Sequence, residues 1–176
     1  MQITQQQHKA AHEIVDLIST ELGKNRAVHA ATRISSCARL AGSFMFRSFN
    51  FQMQDIKPGD AVLSEHANEK GPVLINIVGW ILNNSGVNID EKKMGELSKE
   101  ESDLNFLDSL NLLQKKAVII MEQNKLGFDQ MAYACAIATA YIIKECRNVV
   151  STEAGFNTAI YGFIEGTKIC PSELAN

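Results

Sequence analysis

The chain has 176 residues, 45% of them hydrophobic and 21% charged. This is the length of one domain, able to bury about two thirds of the surface its unfolded form exposes, and the balance excludes disordered, collagen-like and disulfide-framework classes. A formal charge of −3 argues against a nucleic-acid partner, because binding phosphates rests on a clear basic excess. Three prolines and eleven glycines leave room for long helices.

The opening stretch, MQITQQQHKAAHE, is polar where a secretory signal needs an apolar core, so a cytoplasmic location is expected. Cys37, Cys135, Cys146 and Cys170 show no C-x-x-C pairing and read as buried free thiols. If Cys135 and Cys146 share a helix they stand about 16 Å apart, beyond disulfide reach.

The first predicted helix covers residues 5–22, with Thr4 as N-cap, Gly23 just past the end, and Ala11, Ile14, Val15, Ile18 and Leu22 recurring at helical spacing. A second runs over 26–49, entered through Asn25. Residues 51–71 are the least regular, with Asp60, after Pro58 and Gly59, a candidate cap for a short helix over 61–69. Pro72 suits the first turn of a third helix ending near Asn84, with Gly86 beyond it. It is apolar nearly all round, which predicts a central position, and Asn76, Gly79 and Asn83 form its one polar stripe.

Residues 88–103 are charged and predicted to lie on the surface. A fourth helix follows over 102–124, with Phe106, Leu110, Leu113, Ala117 and Ile120 in alternating steps of four and three. The fifth, 129–147, contains MAYACAIATAYII, which spans only about 20 Å as a helix against a hydrocarbon core of roughly 30 Å; it is expected to be buried in the protein, and no membrane partner is expected. The sixth begins at the Ser151–Thr152 cap and ends near Gly166. No sustained period of two and no hairpin turn supports strands. The expected fold is all-α, a single-domain antiparallel helical bundle of about six helices.

Three patterns stand out. Small residues recur with four, three, four spacing as Ala31, Ser35, Ala38, Gly42 on the second helix and Gly155, Ala159, Gly162, Gly166 on the sixth, and as Ala132, Ala136, Thr139, Ile143 on the fifth, where the last member fails. Such stripes let helix backbones approach closely, either within the chain or as a homodimer seam. No acidic residue occurs from Gly23 to Gln54, while Arg26, His29, Arg33 and Arg47 share one helical sector with Arg39 nearby. These cations are suited to an anionic ligand, or else to solvent and the acidic stretch of Glu96, Glu100, Glu101, Asp103 and Asp108. His8 and His12, one turn apart, are candidate ligands for a metal such as zinc, with His29 and His66 available only through a tertiary approach. Asp60, Glu65, His66 and Glu69 supply acid–base groups in the irregular region.

No Glu-x-x-His pair, zinc-protease motif, nucleophile elbow or dinucleotide fingerprint is present, and no cofactor is implied. These features favour a protein whose work is association, with a second copy or a protein partner. The alternative is a small-molecule or anion-binding bundle with a pocket between the Asn76/Trp80/Asn83 stripe and the arginine-bearing helix.

Overall fold

The structure, a computed structural model, describes residues 2–23, 29–51, 55–94 and 102–174. Among them are six α-helices: α1 (Gln5–Leu22), α2 (Ala30–Ser48), α3 (Glu65–Asn84), α4 (Phe106–Gln123), α5 (Phe128–Cys146) and α6 (Thr152–Lys168), with a single 3-10 turn at Glu91–Lys93. The only extended pairing among the described residues is one isolated bridge, Ala61 to Ile169. No single described helix is long and apolar enough to cross a membrane.

α1 begins where its sequence says it should. Thr4 accepts from the Gln7 backbone at 3.2 Å while the Gln7 side chain accepts from the Thr4 backbone at 2.8 Å, a reciprocal cap. Ala10, Ala11, Ile14, Val15 and Ile18 form its buried face. The central element is α2: from Ala30 to Phe46 every residue but Arg33 is buried, and it touches all five other helices, α6 and α5 most extensively. α5 is likewise enclosed, with Met131, Ala134, Ile137 and Ala138 fully buried, as its apolar run predicts.

The helix senses are mixed. α2 and α5 run in opposite directions, with Arg33 beside Glu145 at one end and Phe44 stacked on Phe128 at the other. α6 returns from α5 through a tight turn in which Val149 and Val150 donate to the Cys146 carbonyl. It therefore runs parallel to α2, with Gly162 opposite Ala38 and Gly166 opposite Gly42, so the expected antiparallel arrangement does not hold for this pair.

The expected short helix over 61–69 and the helix after Pro72 are one continuous α3, capped by Ser64, whose hydroxyl accepts from the Ala67 backbone at 3.2 Å. Asp60 instead closes a turn, accepting from the Lys57 backbone at 2.9 Å. Pro72 sits in the third turn and deprives the Asn68 carbonyl of its donor. Both residues lie on the exposed side of the helix, where water can satisfy that carbonyl, so the proline is accommodated without a break. α3 is not central either. Leu74, Ile77, Val78, Ile81 and Leu82 are buried, whereas Asn76, Trp80 and Asn83 are exposed.

α4 starts four residues after the predicted point. Asn105 caps it, its Oδ1 accepting from the Asp108 backbone at 2.9 Å while its Nδ2 donates to the Asp108 carboxylate, and Ser102 organises the approach by bonding the Leu104 backbone.

Candidate functional site

The small-residue stripes meet inside the chain. Ala31, Ala38, Gly42, Gly155, Ala159 and Gly162 are all buried, on the facing sides of α2 and α6. A Cβ added at Gly162 would lie 2.7 Å from Ala38 Cβ, and one at Gly155 would lie 3.3 Å from both Ile34 and Ile143. The stripes are therefore an intrachain packing surface, and these residues are not available as a homodimer seam.

The arginines of α2 do not act as one cationic stripe. Arg33, Arg39 and Arg47 are separated by about 9 and 12 Å along the helix axis, and each is a strut to different elements. Arg33 reaches Glu145 on α5 and Ser19 on α1, both at 3.0 Å. Arg39, only 8% exposed, pairs with Glu165 on α6 at 2.6 Å and donates to the Leu104 carbonyl and Ser109. The carboxylate partner of Arg39 is thus on α6; of the described acidic residues after residue 88, Asp103 is approached by His29, at 3.6 Å. Arg26, Asn25, Glu96, Glu100 and Glu101 lie outside the described residues.

His8 and His12 converge on Tyr141 of α5. His8 Nδ1 is 3.1 Å from the phenolic oxygen, and the His12 ring stacks on the phenol ring at 5.1 Å. Among the described residues no third ligating side chain completes a metal group with them. Asn76 and Asn83 are exposed, on the outward face of α3, and line neither of the clefts described below.

Two clefts among the described residues lie at the C-terminal end of α2, around Arg47. The local sequence FMFRSFNF builds this end. Asn50 adopts φ 51°, a left-handed conformation that asparagine tolerates better than most residues. The chain thereby turns back and places Phe51 against Phe46 and Phe49, each at 5.4 Å, edge-on. His66, from the first turn of α3, lies flat on Phe51 at 6.0 Å and 9°.

A first cleft of about 440 Å³ lies between this aromatic group and the C-terminal tail, with Phe46, Phe51, Ile56, Phe128, Pro171 and Leu174 among its walls. A second, of about 600 Å³, is bordered by His66, Glu69, Lys70, Asp129 and Tyr133. Arg47, Asn50 and Phe128 line both. These volumes fall in the range of small-molecule sites, about 300–1,000 Å³. The tail that closes the first cleft is pinned along its length: Gly59 donates to the Cys170 carbonyl, Cys170 to the Asp60 carbonyl, and Gln114 to the Glu173 carbonyl.

Arg47 is half-buried, and its Nη2 donates to Gln114 Oε1 at 3.0 Å and to the Ser172 carbonyl. No described residue accepts from its Nε or Nη1, and among the described residues no carboxylate lies within 4 Å of it. Burial pushes the guanidinium below its ordinary value, the neighbouring Cys170 acting in the opposite sense, and it remains a cation at neutral pH. In the second cleft, burial and then the Asp129 charge raise the Tyr133 phenol. Of the acid–base groups in the irregular region, His66 and Glu69 share this second cleft, while Asp60 stands apart in its turn.

Arg47 is thus the one described arginine of the predicted set that borders either cleft. The aromatic walls were not singled out in the sequence, although four phenylalanines within eight residues around an arginine are a visible signal. No protein-family model, curated protein or solved structure matches the chain.

Proposed function

We propose that this protein binds a small anionic molecule in the paired clefts at the end of α2, with Arg47 as its charge partner. One observation carries the reading: a half-buried guanidinium borders two cavities, has two nitrogens without a described acceptor, and has no described carboxylate within 4 Å. Partial burial disfavours the charged form, and a cation in that setting gains from an anionic partner. A ligand anion supplies that partner, and charge-assisted hydrogen bonds to a carboxylate or phosphate are about twice as strong as neutral ones.

Thermal-shift measurements with phosphate, sulfate, and aliphatic and aromatic carboxylates test this. A ligand at one hundred times its dissociation constant stabilises by about 2.7 kcal/mol, which raises the melting temperature of a domain this size by roughly 5–10 °C. The shift should vanish in Arg47→Gln and persist in Arg33→Gln, whose side chain serves a different strut. An empty screen on the wild type, or equal shifts in Arg47→Gln, refutes the reading.

Association with a second copy or a protein partner is a second reading. It is favoured by the exposed aromatic residues Trp80 on α3 and Tyr161 on α6, 52% and 60% exposed, and not by the small-residue stripes. Light scattering across a concentration series tests it: a constant monomer mass removes self-association.

A further inference from the structure

Resting on the anion-binding reading, we infer that the ligand is a flat aromatic monocarboxylate, its ring system held between Phe46, Phe51 and Phe128 and its carboxylate held by Arg47. Three features point to that class. The first is charge count. Arg47 is the only described cation bordering the first cleft, and Glu173 borders it too. A single negative charge on the ligand is balanced by Arg47; each additional one meets Glu173 with no further described cation on the lining to offset it, which disfavours phosphates and dicarboxylates.

The second feature is the walls. Besides the three phenylalanines, Ile56, Pro171 and Leu174 border the cleft, a lining that rewards apolar surface on the ligand. Phe51 itself stacks on His66 and meets Phe46 edge-on, so its ring is held in place and offers an ordered surface for a planar partner. Aromatic pairing adds to area burial, whereas a branched aliphatic body gains only the burial.

The third feature is the hydrogen-bond inventory of Arg47. Nη2 is engaged by Gln114 and Ser172, which fixes the plane of the guanidinium, while Nε and Nη1 have no described acceptor. A pre-oriented planar cation matches a planar carboxylate. The Ser172 carbonyl belongs to the tail that walls the cleft, so the same side chain that receives the carboxylate also holds the tail over the ring.

Titration calorimetry on the full chain with 1-naphthylacetate, its neutral amide 1-naphthylacetamide, and inorganic phosphate is the test. The acid should bind at least tenfold more tightly than the amide, because a hydrogen bond to a charged group contributes about 1.5–3 kcal/mol and 1.4 kcal/mol is tenfold. It should also bind at least tenfold more tightly than phosphate. Phe51→Ala should weaken 1-naphthylacetate about two- to tenfold and Arg47→Gln at least tenfold. The acid–amide comparison uses the wild-type protein and stands even if Arg47→Gln does not fold. Equal binding of acid and amide, an unchanged affinity in Phe51→Ala, or phosphate binding as tightly as the acid overturns the inference. If phosphate or an aliphatic acid binds through Arg47 and 1-naphthylacetate does not, the ligand class falls while the anion site stands. If no anion binds, both fall.

Discussion

Replacing Gly42 by alanine tests whether α2 and α6 are held together by the absence of side chains between them. A Cβ at position 42 would stand 2.6 Å from Gly166 Cα, 2.8 Å from its carbonyl carbon and 2.9 Å from the Phe163 oxygen. Ordinary contact begins at 3.4 Å, so the two helices must part by about 0.8 Å (3.4 − 2.6) at this point. All three atoms are backbone, and no rotamer change relieves the overlap. Overpacking costs about 1–3 kcal/mol, and the upper end applies because α2 touches every other helix and cannot shift alone. Alanine returns about 1 kcal/mol through its better helix propensity. The net loss of about 2 kcal/mol lowers the melting temperature by roughly 4–8 °C for a domain of this size. Thermal denaturation followed by circular dichroism measures it, with Gly79→Ala as the comparison. At Gly79, also mid-helix, an added Cβ meets nothing within 4 Å, so the same chemical change should stabilise by about 0.5–1 kcal/mol. A Gly42→Ala protein that melts at or above the wild type, or a Gly79→Ala protein that loses as much as Gly42→Ala, refutes the packing argument.

Arg39→Ala should cost about 2–3 kcal/mol in chemical denaturation, because it leaves Glu165 without its partner and removes one of two donors from each of the Leu104 carbonyl and Ser109; an unchanged midpoint would show the strut to be dispensable. Asn50→Ala should destabilise by about 1 kcal/mol and Asn50→Gly should not, since the backbone there is left-handed at φ 51°; equal stabilities would remove that explanation of the turn. Stability should fall in alkali through Cys37, whose thiol burial pushes up to about 12 from 9.0. The folded state keeps the proton that the unfolded state releases, so this contribution is whole below pH 9 and is lost between about 9 and 12, at roughly 1.4 kcal/mol per pH unit. Cys37→Ala should flatten the decline measured by denaturation from pH 9 to 11; identical slopes would contradict it.

How much was legible can be argued from particular residues. α1 was readable to the residue, because Thr4, Gln7 and Gly23 act within one turn of where they stand in the chain. The burial of α5 was readable because its apolar residues leave no polar face. The small-residue stripes announced a close helix contact. Pro72 misled because its effect on a helix depends on whether the carbonyl it orphans is wet, and the exposure of Asn68 is a property of the assembled protein. The polar stripe of α3 misled in the same way: Asn76 and Asn83 suit a buried polar site or solvent equally, and only the neighbouring helices decide which.

By itself the sequence determined which segments become helices and which of their faces must be hidden, since both follow from side chains three and four positions apart. Only the tertiary structure decided that α2 is the central helix, that its Ala38 and Gly42 face α6 in parallel register, and that Arg33 and Arg39 are spent on Glu145 and Glu165 while Arg47 borders a cavity. The physical reason is range. Capping and periodicity act over a single turn, whereas the partner of a buried charge is fixed by residues up to 126 positions away, brought near only when the whole core closes.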